Sequence, residues 1–201
     1  ARYAGVLGEE WGYKLSGEYQ EANDWSNRLT LLPGSRAREY RQGDETRPGY
    51  QPEVGPGGKL GLNWDASVLR GSGALVRYMG DARLELSGGA SVTDGVGQTN
   101  VGRNQLENWH YNFAQGRYSS PHWFATVYRA QSKSGESWAT NRYTQAYYPN
   151  LARPEASRLT DDQLVAASDW PSDGRMYAGE VQYNSRLPFF LNSAVVLGAS
   201  Y

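Results

Sequence analysis

The feature that most constrains this chain is a two-residue hydrophobic period, repeated in segments whose connections are alternately short and long. Successive side chains of an extended strand point to opposite faces, so such a segment has one apolar side and one polar side. Residues 12–20 set Tyr13, Leu15, Gly17 and Tyr19 against Lys14, Ser16, Glu18 and Gln20. Residues 83–93 set Leu84, Leu86, Gly88, Ala90 and Val92 against Arg83, Glu85, Ser87, Ser91 and Thr93. Residues 59–68 gather Leu60, Leu62, Trp64, Ala66 and Val68 on one side, and 175–183 gather Tyr177, Gly179, Val181 and Tyr183. Near 70–78 the even phase continues through Ala74, Val76 and Tyr78, interrupted by Arg70 and Ser72. In 105–118 the apolar set moves from Trp109, Tyr111 and Phe113 to Ala114, Gly116 and Tyr118, a shift that a bulge would produce. Residues 123–131 are apolar on both faces and have no assignable phase.

The short connections are Gly8–Trp11, Met79–Ala82, Ser119–His122 and Arg186–Phe190; the long ones are 24–57, 94–104 and 134–173. This order predicts strands near 2–8, 12–23, 58–78, 82–93, 105–118, 122–133, 174–185 and 190–201. Very long loops are uncommon in a compact soluble domain, whereas outer-membrane barrels pair short periplasmic turns with long external loops. The predicted fold is therefore all-β: an antiparallel meander of about eight strands, part of a transmembrane β-barrel, occupying the whole of 1–201.

Composition agrees with that reading. No run approaches the ~18–20 apolar residues of a membrane helix. A mean hydropathy of −0.70 excludes helical membrane proteins. It does not exclude a barrel, whose strands are half hydrophilic. Tyr (15) and Trp (7) far exceed Phe (4), as suits rings that meet both hydrocarbon and water. Trp11, Tyr13, Tyr78, Tyr118, Trp123, Tyr183, Phe189 and Phe190 flank the short connections, where one interfacial girdle would fall. Trp25, Trp64, Trp109, Trp138 and Tyr177 lie toward the other ends. Lys and Arg (20) balance Asp and Glu (21), which gives no reason to expect a nucleic-acid partner. The absence of Cys excludes disulfides, thiolate metal sites and cysteine nucleophiles, and two His, His110 and His122, are too few for a multi-His metal centre.

Motifs that carry chemistry are weak. Gly135-Glu-Ser-Trp-Ala139 approximates a nucleophile elbow around Ser137 but lacks the second Gly and a strand-to-helix junction. Gly95-Val-Gly97 is followed by no helix and reads as a turn. Asp161 and Asp162, with Asp169 and Asp173, offer oxygen ligands without EF-hand spacing. Thr160 followed by Gln163 is a capping box, predicting a short helix near 161–168 in which Asp161 and Asp162 complement the helix dipole. No catalytic residue, metal site or cofactor is expected. The candidate ligand-binding residues lie in the long loops: Arg36, Arg38, Tyr40 and Arg41, suited to oxyanions, with Trp138 and Tyr143. Lys14, Glu18, Arg77, Arg83, Glu85, Gln115, Arg117, Glu180 and Gln182 are expected to point inward to a wet lumen.

Two passages resemble a known family. Thr99-Asn-Val-Gly-Arg-Asn-Gln-Leu-Glu-Asn-Trp109 and Tyr118-Ser-Ser-Pro-His-Trp-Phe-Ala125 are similar to the mid-barrel region of TonB-dependent outer-membrane receptors. The opening Arg2-Tyr-Ala-Gly-Val-Leu-Gly-Glu-Glu-Trp-Gly-Tyr-Lys-Leu-Ser-Gly-Glu-Tyr19 resembles an earlier strand pair of the same barrels. The resemblance implies a barrel of about 22 strands plugged by an N-terminal domain and energised through TonB. It implies uptake of a scarce ligand (a siderophore, vitamin or glycan) across the outer membrane of a Gram-negative bacterium. The expected partners are outer-membrane lipid, the receptor's own plug, TonB, and a small-molecule, peptide or glycan ligand. No plug is recognisable in the chain, so it is expected to be a mid-barrel fragment of such a receptor. The alternatives are a small eight-stranded barrel acting as an adhesin or structural anchor, and a membrane-bound hydrolase using Ser137 with a His.

Overall fold

The structure, a computed structural model, describes residues 1–23, 54–55, 58–59, 62–99, 102–187 and 193–201. Its elements are β1 (Arg2–Leu7), β2 (Trp11–Asn23), β3 (Val54–Gly55), β4 (Gly58–Lys59), β5 (Asp65–Met79), β6 (Ala82–Thr99), β7 (Gly102–Ser119), β8 (Trp123–Lys133), β9 (Trp138–Ala139), α1 (Thr140–Leu151), a 3-10 turn (Glu155–Ser157), α2 (Asp161–Ala167), β10 (Asp173–Leu187) and β11 (Ser193–Ser200). The main sheet is an antiparallel meander in the order β1-β2-β5-β6-β7-β8-β10-β11, with β9 paired to β7. The sheet is not closed: among the described residues β1 pairs only with β2, and β11 only with β10.

The predicted strands are present with shifted bounds. The third begins at Asp65 rather than near 58, because Leu62 leaves the sheet to fill a core described below. The expected loop 94–104 is largely strand: β6 runs to Thr99 and β7 resumes at Gly102. The expected loop 134–173 folds into α1 and α2, the latter bearing the capping box Thr160–Gln163.

Direct register partners share a face, so the ladders assign every strand residue to one of two sides. On one side lie Tyr13, Leu15, Gly17 and Tyr19 of β2, Leu69 to Leu75 of β5, Leu84 to Val92 of β6, Tyr118 and Gly116 of β7, Ala125 and Val127 of β8, and Tyr183 to Tyr177 of β10, taking alternate residues. No described helix or second sheet covers this side: Leu15 is 55% exposed, Val127 65% and Leu197 64%. The other side carries Lys14, Glu18, Arg83, Glu85, Gln115, Arg117, Glu180 and Gln182, as expected. Two expectations are corrected. In β5 the odd phase, with glycines at 71 and 73, faces the apolar side, and Ala74, Val76 and Tyr78 face the polar side. Arg77 is consequently on the apolar side, where its guanidinium lies over the Trp11 ring and pairs with Glu10 in the adjoining turn at 3.3 Å.

The apparent phase shift in 105–118 has a different origin from a bulge there. The β6–β7 register is continuous from Trp109 to Ser119, and the one irregularity falls between Thr93 and Gly95. There Glu107 and Asn108 together face Asp94, and Asn108 takes φ 53°, the left-handed region that Asn tolerates. Trp109, Tyr111 and Phe113 are aromatics of the polar side, whereas Ala114, Gly116 and Tyr118 belong to the apolar side. The short turns are tight: Gly8 and Gly80 have φ of 67° and 60°, values suited to a residue without Cβ. Asn108→Gly is expected to leave stability unchanged, and Asn108→Val to lower it by about 1–2 kcal/mol, as read by denaturant unfolding of the detergent-folded full-length protein.

The strand ends are staggered. One row of direct partners runs Trp11, Arg77, Leu84, Tyr118, Ala125, Val181. It touches the short turn at β2, where Trp11 pairs with Leu7, yet lies six residues inside β10, whose last partner pair is Leu187 with Ser193.

Candidate functional site

Two constructions stand out on this scaffold: a cap on the long-loop ends of the strands, and a concavity on the polar face. The cap forms because residues 134–173 bury a small apolar core of Leu62, Trp138, Tyr143 and Leu164, with Trp64, Val96, Tyr147 and Leu159 against it. Polar groups fix its seat on β7. The Gln105 amide accepts from the Asn63 N–H at 2.8 Å and donates to the carbonyls of Asn63 and Gly95. Thr140 donates to the Arg103 carbonyl at 2.7 Å, and the Arg103 guanidinium lies over the Trp64 ring. Tyr143 donates to Asp161 at 3.0 Å, joining α1 to the start of α2. Burial, together with that carboxylate, pushes the Tyr143 phenol well above its usual range. Burial also lifts the Glu107 carboxyl, with the nearby charges of Glu136 and Asp94 adding to the effect.

The cap settles the roles of several motif residues. Ser137 is fully buried; its hydroxyl accepts from the Glu107 N–H at 3.2 Å, and its carbonyl accepts from Trp170. It is a structural residue, with neither His among its hydrogen-bond partners. His110 sits on the apolar side opposite Val92 and Lys133, and His122 is in a short turn against the Asn184 carbonyl. Gly95 and Gly97 are strand residues of β6 rather than a turn. Asp161 and Asp162 open α2, and no group of three or more metal-ligating side chains exists among the described residues. Trp138 and Tyr143 are 4% and 0% exposed, so both rings hold the cap together instead of lining an open surface. Arg36, Arg38, Tyr40 and Arg41 lie outside the described residues.

The concavity lies over β1, β2, β5, β6 and β7 and encloses about 570 Å³. Its wall includes Arg2, Glu18, Arg70, Ser72, Tyr111 and Phe113. Arg70 engages the Glu18 carboxylate through two donors at 2.6 and 3.0 Å, and Ser16 and Ser72 share a hydroxyl–hydroxyl bond at 2.7 Å. The aromatic wall is a continuous run: Tyr111 and Tyr128 bond through their hydroxyls at 2.7 Å, and Phe113 stacks on Tyr128 at 6.3 Å. Above them Trp109 packs on Trp170 and donates to Ser132. Sequence reasoning did not single out this aromatic–polar wall. Its signal was present in the move between faces at Phe113 and Ala114 and in the doubly apolar 123–131. Gly89 is required beneath it, since a Cβ there would meet the Phe113 ring and the Gly71 carbonyl at 2.8 Å.

Such a wall offers hydrogen bonds, a charged pair and ring faces, groups suited to holding a ligand. No family model, curated protein or solved structure matches the chain.

Gly135 is packed so closely against Glu107 and Asn108 that a Cβ would collide with their carbonyl oxygens. Gly135→Ala is expected to undock the cap, seen as faster proteolysis within 134–173 with the strands still protected. The raised Tyr143 phenol gives a pH signature. A phenol that stays protonated longer in the folded state adds stability below its unfolded pKa near 10, and that stability fades as pH rises further. Cap protection against hydrogen exchange is expected to fall above pH ~10. Tyr143→Phe should remove that alkaline step at a cost of about 1 kcal/mol at neutral pH.

Proposed function

We propose that this chain is part of the wall of a TonB-dependent outer-membrane receptor, a barrel that takes up a scarce ligand such as a siderophore, vitamin or glycan. In this reading the chain is not an enzyme. The observation that carries the membrane reading is the slant of the apolar side. If the short turns share one plane, a six-residue stagger over five strand steps corresponds to a tilt of about 40° at ~3.3 Å per residue and ~4.8 Å between strands. Strands of membrane barrels tilt by ~35–45°.

The upper edge of the apolar side is level across β2, β5 and β6 and then drops toward β8. The row that ends it on β2, β5 and β6 is Tyr19, Leu69, Val92; the same row continues across β7, β8 and β10 as His110, Lys133, Asp173. On β8 the apolar side stops at Val127, six residues short of Lys133. Both edges thus fall between β6 and β8, the sense in which a flat hydrocarbon layer would cut tilted strands. Trp11, Tyr118, Trp123 and Tyr183 lie in that band near the short turns, with Trp123 and Tyr183 packed at 4.8 Å. Tyr78 is on the other side, and Phe189 and Phe190 lie outside the described residues.

Two features support a large receptor wall over a closed eight-stranded adhesin. β1 and β11 do not pair with each other, so the ladder has places for further strands on both edges. The wet side carries a charged and aromatic concavity rather than a packed core, suited to a plug and a passing ligand. In this reading the lipid, the plug and TonB are the partners, and Arg36, Arg38, Tyr40 and Arg41 are ligand contacts by their chemistry.

In the full-length protein, Leu86→Arg places a charge in mid-band at a cost of ~2–4 kcal/mol. It is expected to abolish the heat-modifiable band on detergent gels, whereas Glu85→Gln, facing the wet side, leaves that band intact. For uptake, deletion of the gene should abolish growth on one limiting iron chelate, vitamin or glycan, restored by the intact gene. Unchanged growth on every such nutrient would refute the transport role.

A further inference from the structure

Above Val127 the apolar side changes character within one row. A shallow groove of about 600 Å³ runs over β6 to β10, its floor formed by Ala114, Gly116 and Gly179 and its walls by Leu86, Val127 and Tyr177. The groove ends at Arg129, which lines it. The Arg129 guanidinium donates to two amide oxygens, Asn112 at 3.4 Å and Gln131 at 3.2 Å. Neither Arg129 nor Lys133, four residues further along the same face, takes part in any of the described ion pairs. Arg175, diagonally adjacent through its partner Gln131, spends its charge on Asp173 at 2.9 Å.

A guanidinium at the edge of a hydrocarbon layer, held only by neutral amides, is poorly compensated and calls for an anion. No described carboxylate pairs with Arg129, and Asp173, the direct partner of Lys133, is engaged by Arg175 and Gln131. The groove that leads to it is apolar and open along its length. We propose that this groove is a binding site for one anionic lipid of the leaflet on the long-loop side. An acyl chain lies over Gly116 and Gly179, and the phosphate of its head group pairs with Arg129 and, above it, Lys133. Arg suits this role because its donors meet phosphate oxygens two at a time. Gly179 in the floor is then explained: it has nothing but the Thr126 carbonyl, at 3.9 Å, near the position of a Cβ, so its lack of a side chain is not demanded by the protein's own packing. The site rests on the membrane reading above and adds to it a particular lipid class and address.

The test uses the full-length protein in maltoside micelles, titrated with phosphatidylglycerol, with phosphatidylcholine, and with inorganic phosphate, read by native mass spectrometry and thermal shift. Phosphatidylglycerol is expected to bind about tenfold tighter than phosphatidylcholine. Arg129→Gln should abolish that preference, and Arg129→Lys should restore part of it. Gly179→Leu, which fills the groove and leaves the charge, should weaken both lipids equally. Inorganic phosphate alone should neither bind nor stabilise. Equal binding of the two lipids, a preference that survives Arg129→Gln, or full binding to Gly179→Leu would overturn the proposal. Reconstitution into vesicles separates the two claims. Insertion without a lipid preference overturns this site alone, and failure of the unaltered protein to insert overturns the membrane reading together with it.

Discussion

Register is the constraint on which the rest of this structure depends. The inner strands of the meander are hydrogen-bonded on both sides, and the side-chain period is two, so a slip of one residue would exchange the two faces of a strand. The ladders keep Tyr13, Leu75, Leu86, Gly116, Val127 and Gly179 in a single row across six strands. That row has no polar atom in its side chains except one phenol. The rows beside it on the opposite face carry Glu85, Arg117 and Glu180. A sheet with one apolar face, one polar face and no layer over the apolar one among the described residues exposes an apolar surface that water does not favour. In the proposed reading a lipid layer covers that face, and the slanted lower edge of the apolar side fits it.

Much of this was legible in the sequence. The clean alternations at 12–20 and 83–93 gave the correct face because each residue there obeys one preference. The reading failed where both faces carry aliphatic or aromatic groups. In β5 the apolar side is built from Leu69, Gly71, Gly73 and Leu75, and glycines are silent in a hydrophobicity pattern. In β7 the wet side is aromatic at 109, 111 and 113 because those rings build the concavity with Tyr128. Arg77 looked like a lumen residue by charge, yet at the end of a strand an arginine reaches past the apolar side to Glu10 and the Trp11 face.

The cap was half legible. The capping box predicted α2, since Thr160 and Gln163 satisfy each other's backbone donors at sequence-local distances. Helix α1 had no such mark: it starts without a side-chain cap, contains Pro149, and is held by the burial of Tyr143 and Thr140 against β7. Its existence is a tertiary effect, and the same effect took Trp138 and Tyr143 out of reach as surface contacts and left Ser137 as a seat for Glu107.

The central claim is that the Tyr13–Leu15–Gly17–Tyr19 side meets acyl chains while the Lys14–Ser16–Glu18 side meets water. The chain has no cysteine, so single cysteines at 13 through 19 can be nitroxide-labelled one at a time in the full-length protein in vesicles. The account predicts a two-residue oscillation, with high oxygen and low nickel-chelate accessibility at 13, 15, 17 and 19, and the reverse at 14, 16 and 18. Uniform accessibility to the water-soluble reagent at all seven positions would contradict it.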